Sequence, residues 1–200
     1  MINIDVLNLG PMDNCTYLVT QGTDALLIDP AWDMNFIIHT LETKKLTLQG
    51  VLFTHGHFDH VKFSKELLEH FQIKAYLEQN DVALSGLPPE LLHTYHADQQ
   101  FQIGPFAVQI LATPGHTAGS VCILIEDVLF TGDTLFPGAC GRVDLPSSNP
   151  KDMLASLRRI ASLPEDTRLF AGHSYGGRCQ TSVAQEKLHN PYMRNALRGA

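Results

Sequence analysis

Apolar positions along this chain fall in short runs broken by turn residues. Residues 2–9, 15–20 and 25–28 are strand-length runs, separated by Gly10-Pro11-Met12-Asp13 and Gln21-Gly22-Thr23-Asp24, and they predict three strands. The spacing then becomes helical: Phe36, Ile37 and Leu41 follow Asp33, a residue type suited to capping a helix N-terminus. Residues 49–53 predict a strand, and Phe63, Leu67, Leu68 and Phe71 form one face of a second amphipathic helix. A strand over 73–77 and a short helix over 80–85 follow. In the second half, 101–103 with 106–111 and 121–125 with 128–130 predict two hairpins, turning at Gly104-Pro105 and Glu126-Asp127. Met153, Leu154, Leu157 and Ile160 predict a helix over 150–163, residues 168–170 a strand, and 182–189 a last helix. Strands thus come in two batches, each followed by helix. The expected fold is α+β, with two mixed sheets packed face to face and helices outside.

Composition adds bounds. The 200 residues are 44% hydrophobic and 18% charged, which suits one domain over residues 1–200 without repeats or linkers. The net charge is −7, and no Lys/Arg run exceeds a dipeptide, so a nucleic-acid partner is not expected. Residues 1–5 lack a basic segment before an apolar stretch, and no apolar run reaches membrane-spanning length. A cytoplasmic protein with no membrane partner is therefore expected. Cys15, Cys122, Cys140 and Cys179 form no close pair in sequence and read as free thiols.

The chemistry is concentrated in Thr54-His55-Gly56-His57-Phe58-Asp59-His60, directly after an apolar strand. Three imidazoles and a carboxylate at the end of a buried strand need partners, and they suit a divalent cation. Other strand runs also end in polar clusters, where a glycine precedes a His or Asp: Gly115-His116, Gly132-Asp133 and Gly172-His173. The glycine lets the chain turn and aim one side chain beyond the sheet. Seven candidate ligands result: His55, His57, Asp59, His60, His116, Asp133 and His173. A single catalytic zinc takes about three protein ligands plus water. Two metals about 3.5–4 Å apart with a bridging carboxylate would use all seven. The remaining His39, His70, His93, His96 and His189 lie in expected helices or loops and read as structural or surface residues.

With these motifs in view, the chain resembles the metallo-β-lactamase-fold hydrolases, and among them the short bacterial glyoxalase II-like (hydroxyacylglutathione hydrolase-like) forms. The likeness rests on Asn14-Cys15-Thr16-Tyr17, Leu27-Ile28-Asp29-Pro30, the His motif, the 113–120 segment, Gly132-Asp133-Thr134-Leu135-Phe136 with Gly141-Arg142-Val143-Asp144, and Gly172-His173. It implies a four-layer αβ/βα sandwich. It also implies one metal on His55, His57 and His116, a second on Asp59, His60 and His173, and Asp133 bridging. By the same resemblance Asp29 orients a ligand imidazole from behind. The metals implied are two divalent ions, zinc foremost, with iron or manganese as alternatives. The C-terminal helical domain that holds glutathione in long glyoxalase II proteins is not expected in this protein.

The resemblance implies thioester hydrolysis, in which a metal-bound hydroxide attacks the acyl carbon and Asp59 and Asp133 serve that hydroxide's metals. A thiol of pKa about 8.5 departs readily as thiolate and needs little general acid. The substrate would be a small thioester of glutathione, coenzyme A or a carrier protein, and the protein a monomer or homodimer. Lys62, Arg142 and Tyr175 are the candidate substrate contacts. The spacing from His173 to Asn190-Pro191 also resembles persulfide dioxygenases, which implies the alternative of a single iron on His55, His116 and Asp133. Carrier-protein thioesterase, lactonase and lactamase activities are further alternatives on this fold.

Overall fold

A computed structural model of the protein describes residues 1–175 and 177–198. Strands β1 (Asn3–Asn8), β2 (Cys15–Gln21) and β3 (Asp24–Ile28) form an antiparallel meander. Helix α1 (Met34–Thr43) crosses over to β4 (Thr47–Leu52), which lies parallel to β3. Next come α2 (Phe58–Val61), α3 (Ser64–Phe71), β5 (Ala75–Glu78), α4 (Val82–Ser85) and β6 (Leu92–Tyr95). The first sheet has the order β1-β2-β3-β4-β5-β6.

The second sheet begins with β7 (Gln99–Ile103), β8 (Phe106–Ala112), β9 (Val121–Ile125) and β10 (Val128–Gly132), all antiparallel in sequence. A small hairpin, β11 (Leu135–Phe136) and β12 (Ala139–Cys140), leads to α5 (Pro150–Ala161). Strand β13 (Arg168–Ala171) then pairs parallel to β10, and β14 (Gln180–Ser182) pairs antiparallel to β13. Helices α6 (Val183–His189) and α7 (Pro191–Arg198) follow.

Strand alternation sorts side chains into three apolar layers. Tyr17, Val19, Leu26, Ile28, Val108, Ile110, Ile123 and Phe130 meet between the sheets. The neighbours Leu18, Ala25, Leu27 and Val51 point the other way, onto Ile37 and Leu41 of α1 and Leu67 and Leu68 of α3. Leu111, Cys122, Leu129 and Leu169 likewise face Met153, Leu157 and Ile160 of α5. Period-two side chains on strands covered on both faces give the four-layer sandwich expected from the sequence.

Asp33 caps α1 as expected, accepting a hydrogen bond from the Phe36 amide at 3.2 Å. Phe36 itself points outward and is 45% exposed. Met34, three residues before Ile37, takes the core position instead. Phe63 likewise precedes α3 and packs its ring on Trp32 rather than joining the Leu67–Leu68 face. Strand β6 was not expected, because its four residues alternate too briefly to register, and it places His93 on a strand. Among the described residues no helix is long and apolar enough to cross a membrane.

Candidate metal centre

The seven candidate ligands gather at one end of the sandwich, on loops that follow strands and on the short helix α2. Strand β4 runs into Thr54–His57; β8, β10 and β13 run into His116, Asp133 and His173. The two sheets are tied together there: the Val121 amide donates to the Thr54 carbonyl (2.9 Å), and the Cys15 amide to the Gly172 carbonyl (2.8 Å). Gly132 is in the left-handed region at φ 48°, and a Cβ on it would come within 2.3 Å of Thr54 Oγ1. Only glycine brings the end of β10 this close to the His motif.

The motif itself divides. His57 is extended (φ −64°, ψ 146°), and the chain then closes into the single turn of α2, with the His60 amide donating to the His57 carbonyl at 2.9 Å. His55 and His57 therefore face one way, and Asp59 and His60 another. Three sets of ligand atoms lie mutually within 4.8 Å: His55, His57 and His116; Asp59, His60 and His173; and His55, His60 and Asp133. The first two sets share no residue. Asp133 stands between them, with Oδ2 3.5 Å from His116 Nε2 and 3.4 Å from His173 Nε2, and Oδ1 3.4 Å from His60 Nε2.

Four imidazoles are anchored through their rear nitrogen. His116 Nδ1 donates to the Arg142 carbonyl (3.0 Å) and His173 Nδ1 to the Met12 carbonyl (2.8 Å). His60 Nδ1 donates to Asp29 Oδ2 (2.9 Å). Thr54 gives its own proton to Asp29 Oδ2 (2.6 Å), so its hydroxyl accepts from His55 Nδ1 (3.1 Å). Each contact occupies the rear nitrogen and turns Nε2 toward the centre. His57 is the exception: its Nδ1 lies 2.9 Å from His116 Nε2.

Burial, reinforced by the nearby His60, holds His55 well below the usual imidazole range, and burial lowers His57 as well. Burial works against a charged His60, but Asp133 and Asp29 outweigh it and raise its pKa well above the ordinary value. For His173 burial is again outweighed, here by hydrogen bonds to Asp133 and Asp59, which lift it to about 9. Burial opposes ionisation of Asp59, yet the His173 hydrogen bond and the His60 charge bring it down to about 2. Asp133 stays ionised for the same reason, the His60 charge overriding its burial.

The centre therefore packs ionised carboxylates against five imidazoles, and in the metal-free protein the protons gather on the Asp59–His60–His173 side. Two of its buried atoms, His55 Nε2 and Asp133 Oδ1, have no hydrogen-bond partner at all. Both are acceptors, and a buried acceptor without a donor is unfavourable unless a cation meets it. All-nitrogen-and-oxygen donor sets of this kind fit zinc or another first-row divalent ion.

The other sequence candidates fall outside this cluster or at its edge. Asp29 lies directly behind it, holding His60, the Thr54 hydroxyl and, through Oδ1, the Thr54 amide (2.7 Å). Tyr175 stacks parallel on His173 (centroids 4.9 Å, planes 3° apart) and is 58% exposed. Arg142 forms a two-pronged pair with Asp144 at the surface, so its carbonyl rather than its guanidinium serves the centre. Lys62 places its ammonium 4.8 Å above the Trp32 ring and 5.0 Å above the Phe63 ring. His39, His70, His93, His96 and His189 join none of the three ligand sets.

Sequence reasoning assigned no role to Thr54, Asn14 or Trp32. Asn14 Nδ2 donates to the Asp59 carbonyl (3.0 Å) and to Asp59 Oδ2 (3.1 Å), while Trp32 Nε1 approaches the same carbonyl (3.1 Å). A hydroxyl directly before the first His of the motif was the readable signal for Thr54, and Asn14 stood in one of the motifs that carry the resemblance; Trp32 gave none.

Residues 10–173 match the Metallo-beta-lactamase superfamily. The probable polyketide biosynthesis zinc-dependent hydrolase BaeB of Bacillus velezensis is 34% identical over 166 residues, covering 82% of this chain and 74% of that protein. A hydroxyacylglutathione hydrolase of Shewanella baltica is 39% identical over 175 residues, covering 82% of this chain but 62% of its own length. Among solved structures, ETHE1 from Myxococcus xanthus superposes with a TM-score of 0.85 at 33% identity, over 94% of this chain and 83% of that one. The superfamily match spans all seven strand-end residues, and the same two-sheet sandwich carries them: this chain belongs to the metallo-beta-lactamase superfamily.

Proposed function

We propose that the protein is a metal-dependent hydrolase that cleaves thioesters, with two divalent ions held by His55, His57 and His116 on one side, Asp59, His60 and His173 on the other, and Asp133 between. The observation that carries this reading is the pair of buried acceptors, His55 Nε2 and Asp133 Oδ1, left without a donor inside a ring of anchored ligands. When bound, such ions lower the pKa of water toward neutrality and withdraw charge from an acyl carbonyl. The chain's own residues do the rest. Asp29, Thr54 and the carbonyls of Met12 and Arg142 hold the imidazoles so that the ligand geometry is set before substrate arrives. Tyr175 and the 57%-exposed Phe58 stand beside the ligands and supply apolar surface to a bound acyl or thiol group.

The leaving group follows from the same accounting. Each imidazole and carboxylate of the centre is committed to a ligand position or a rear anchor, which leaves no ready proton donor among them. A thiol of pKa about 8.5 departs as thiolate without one, whereas an amine does not. The relatives named as a zinc-dependent hydrolase and a hydroxyacylglutathione hydrolase agree with this reading.

Metal analysis of the purified protein, run beside hydrolysis of S-lactoylglutathione and acyl-coenzyme A and O₂ uptake with glutathione persulfide, tests it. Two zinc-like ions per chain and thiol release are expected, and Asp133→Ala should lose bound metal and turnover together. One iron per chain with O₂ consumption, or wild-type turnover by Asp133→Ala, would overturn the assignment.

A further inference from the structure

Asp81 sits at the N-terminus of α4, the usual place for an acidic cap, yet its side chain caps nothing there. It is buried, and its carboxylate reaches into the ligand loops instead. Oδ2 accepts from the Gly56 amide at 2.8 Å and from the Thr117 hydroxyl at 2.6 Å, and Oδ1 accepts from the Gly119 amide at 2.9 Å. Gly56 is the residue between His55 and His57, and Thr117 follows His116. All three partners thus belong to loops that carry one ligand set, and none adjoins Asp59, His60 or His173. Two glycines make the approach possible: a Cβ on Gly56 would meet the Asp81 carbonyl oxygen at 2.5 Å, and one on Gly119 would meet Asp81 Cγ and Oδ1 at 2.7 Å. Thr117 is further locked by Ser120, whose Oγ accepts from the Thr117 amide at 3.0 Å.

We propose that Asp81 is the positioning residue of the His55–His57–His116 subsite: by clamping the 55–57 loop to the 116–120 loop it sets the mutual approach of the three imidazoles for a divalent cation. Asp29, by contrast, reaches both sets, holding His60 directly and His55 through the Thr54 hydroxyl. The proposal rests on the reading that the seven ligands hold two ions.

The test is zinc titration of the metal-free protein in two backgrounds, each retaining one subsite. In His173→Ala, which keeps the His55–His57–His116 set, adding Asp81→Asn should weaken zinc binding about 10- to 100-fold, the usual loss when a carboxylate behind a ligand is removed. In His57→Ala, which keeps the other set, the same change should alter affinity by no more than about twofold, as for independent sites. Equal losses in both backgrounds would mark Asp81 as a general structural residue, and no loss in the first would remove its role; either overturns the proposal. If Asp81→Asn shows no cooperative thermal transition, Thr117→Val, which deletes one partner and leaves the carboxylate, should reproduce the one-sided loss, and its failure to do so overturns the proposal equally. Wild-type protein binding one zinc would instead sink the two-ion reading, with the comparison in the His55–His57–His116 background still deciding the role of Asp81.

Discussion

Replacing Gly172 by alanine adds one methyl group at the floor of the ligand cluster. Its Cβ would lie 2.3 Å from Asp133 Oδ1, 2.8 Å from His60 Cε1 and 3.1 Å from the Gly132 carbonyl carbon. Gly172 is outside the left-handed region, so alanine meets no backbone strain there and its whole effect is steric. The backbone cannot retreat, because the Gly172 amide donates to Gly132 and its carbonyl accepts from Cys15, each at 2.8 Å. Ordinary contact begins at 3.4 Å, so the Asp133 carboxylate must move by about 1 Å. A displacement of that size at a reacting centre costs about 100-fold in rate, while overpacking of this kind destabilises the fold by about 1–3 kcal/mol. Thermal unfolding of the metal-free protein, metal per chain and thioester turnover should all be measured on the same preparation. The expected result is a folded protein with reduced metal content and about 1% of wild-type turnover. Gly86→Ala is the control: its φ is 64° with nothing within 4 Å, so it carries only the backbone cost of about 1–2 kcal/mol. Gly172→Ala with wild-type metal content and turnover would refute the placement of Asp133 between the two ligand sets.

Zinc binding should release protons and strengthen with pH. The hydrogen bonds to Asp133 and Asp59 lift His173 to about 9 in the metal-free protein, and Asp133 and Asp29 raise His60, so the Asp59–His60–His173 set must give up a proton to ligate. Calorimetry in buffers of different ionisation enthalpy should show net proton release on zinc binding near pH 7.5, with affinity at the Asp59–His60–His173 set rising up to about pH 9; binding without proton release would contradict the raised values. Tyr175→Ala removes a ring stacked on His173 without touching its Nδ1 anchor. It should raise KM for a thioester while metal content stays at the wild-type level; a parallel loss of metal would instead assign Tyr175 to holding His173.

Much of this centre was legible because its ligands lie at the ends of strongly patterned strands. Gly115-His116, Gly132-Asp133 and Gly172-His173 stood out by position, and the structure brings all three to the His motif. The supporting groups were less visible. His116 and His173 are held by main-chain carbonyls of Arg142 and Met12, and a carbonyl carries no residue identity that a sequence can display. Arg142 and Lys62, expected as substrate contacts, hold their charged ends at Asp144 and over the Trp32 ring, partners that their positions in the sequence did not reveal.

The sequence by itself determined the two batches of strands, the pairing of two sheets with helices outside and the seven candidate ligands, since strand periodicity and residue chemistry are local properties. The tertiary structure alone shows the backbone by which Thr54–His60 divides between two candidate ligand sets, a division that the resemblance implied but strand patterning did not. That division follows from one change of backbone direction at His57, extended before it and helical after it. The structure also decided that Asp29 reaches His60 and Thr54 and that Asp81 reaches the Gly56 and Thr117 loops. Both carboxylates act across about 25 residues or more of chain, through contacts that exist only once the sheets have packed and the two glycine-bearing loops have closed on them.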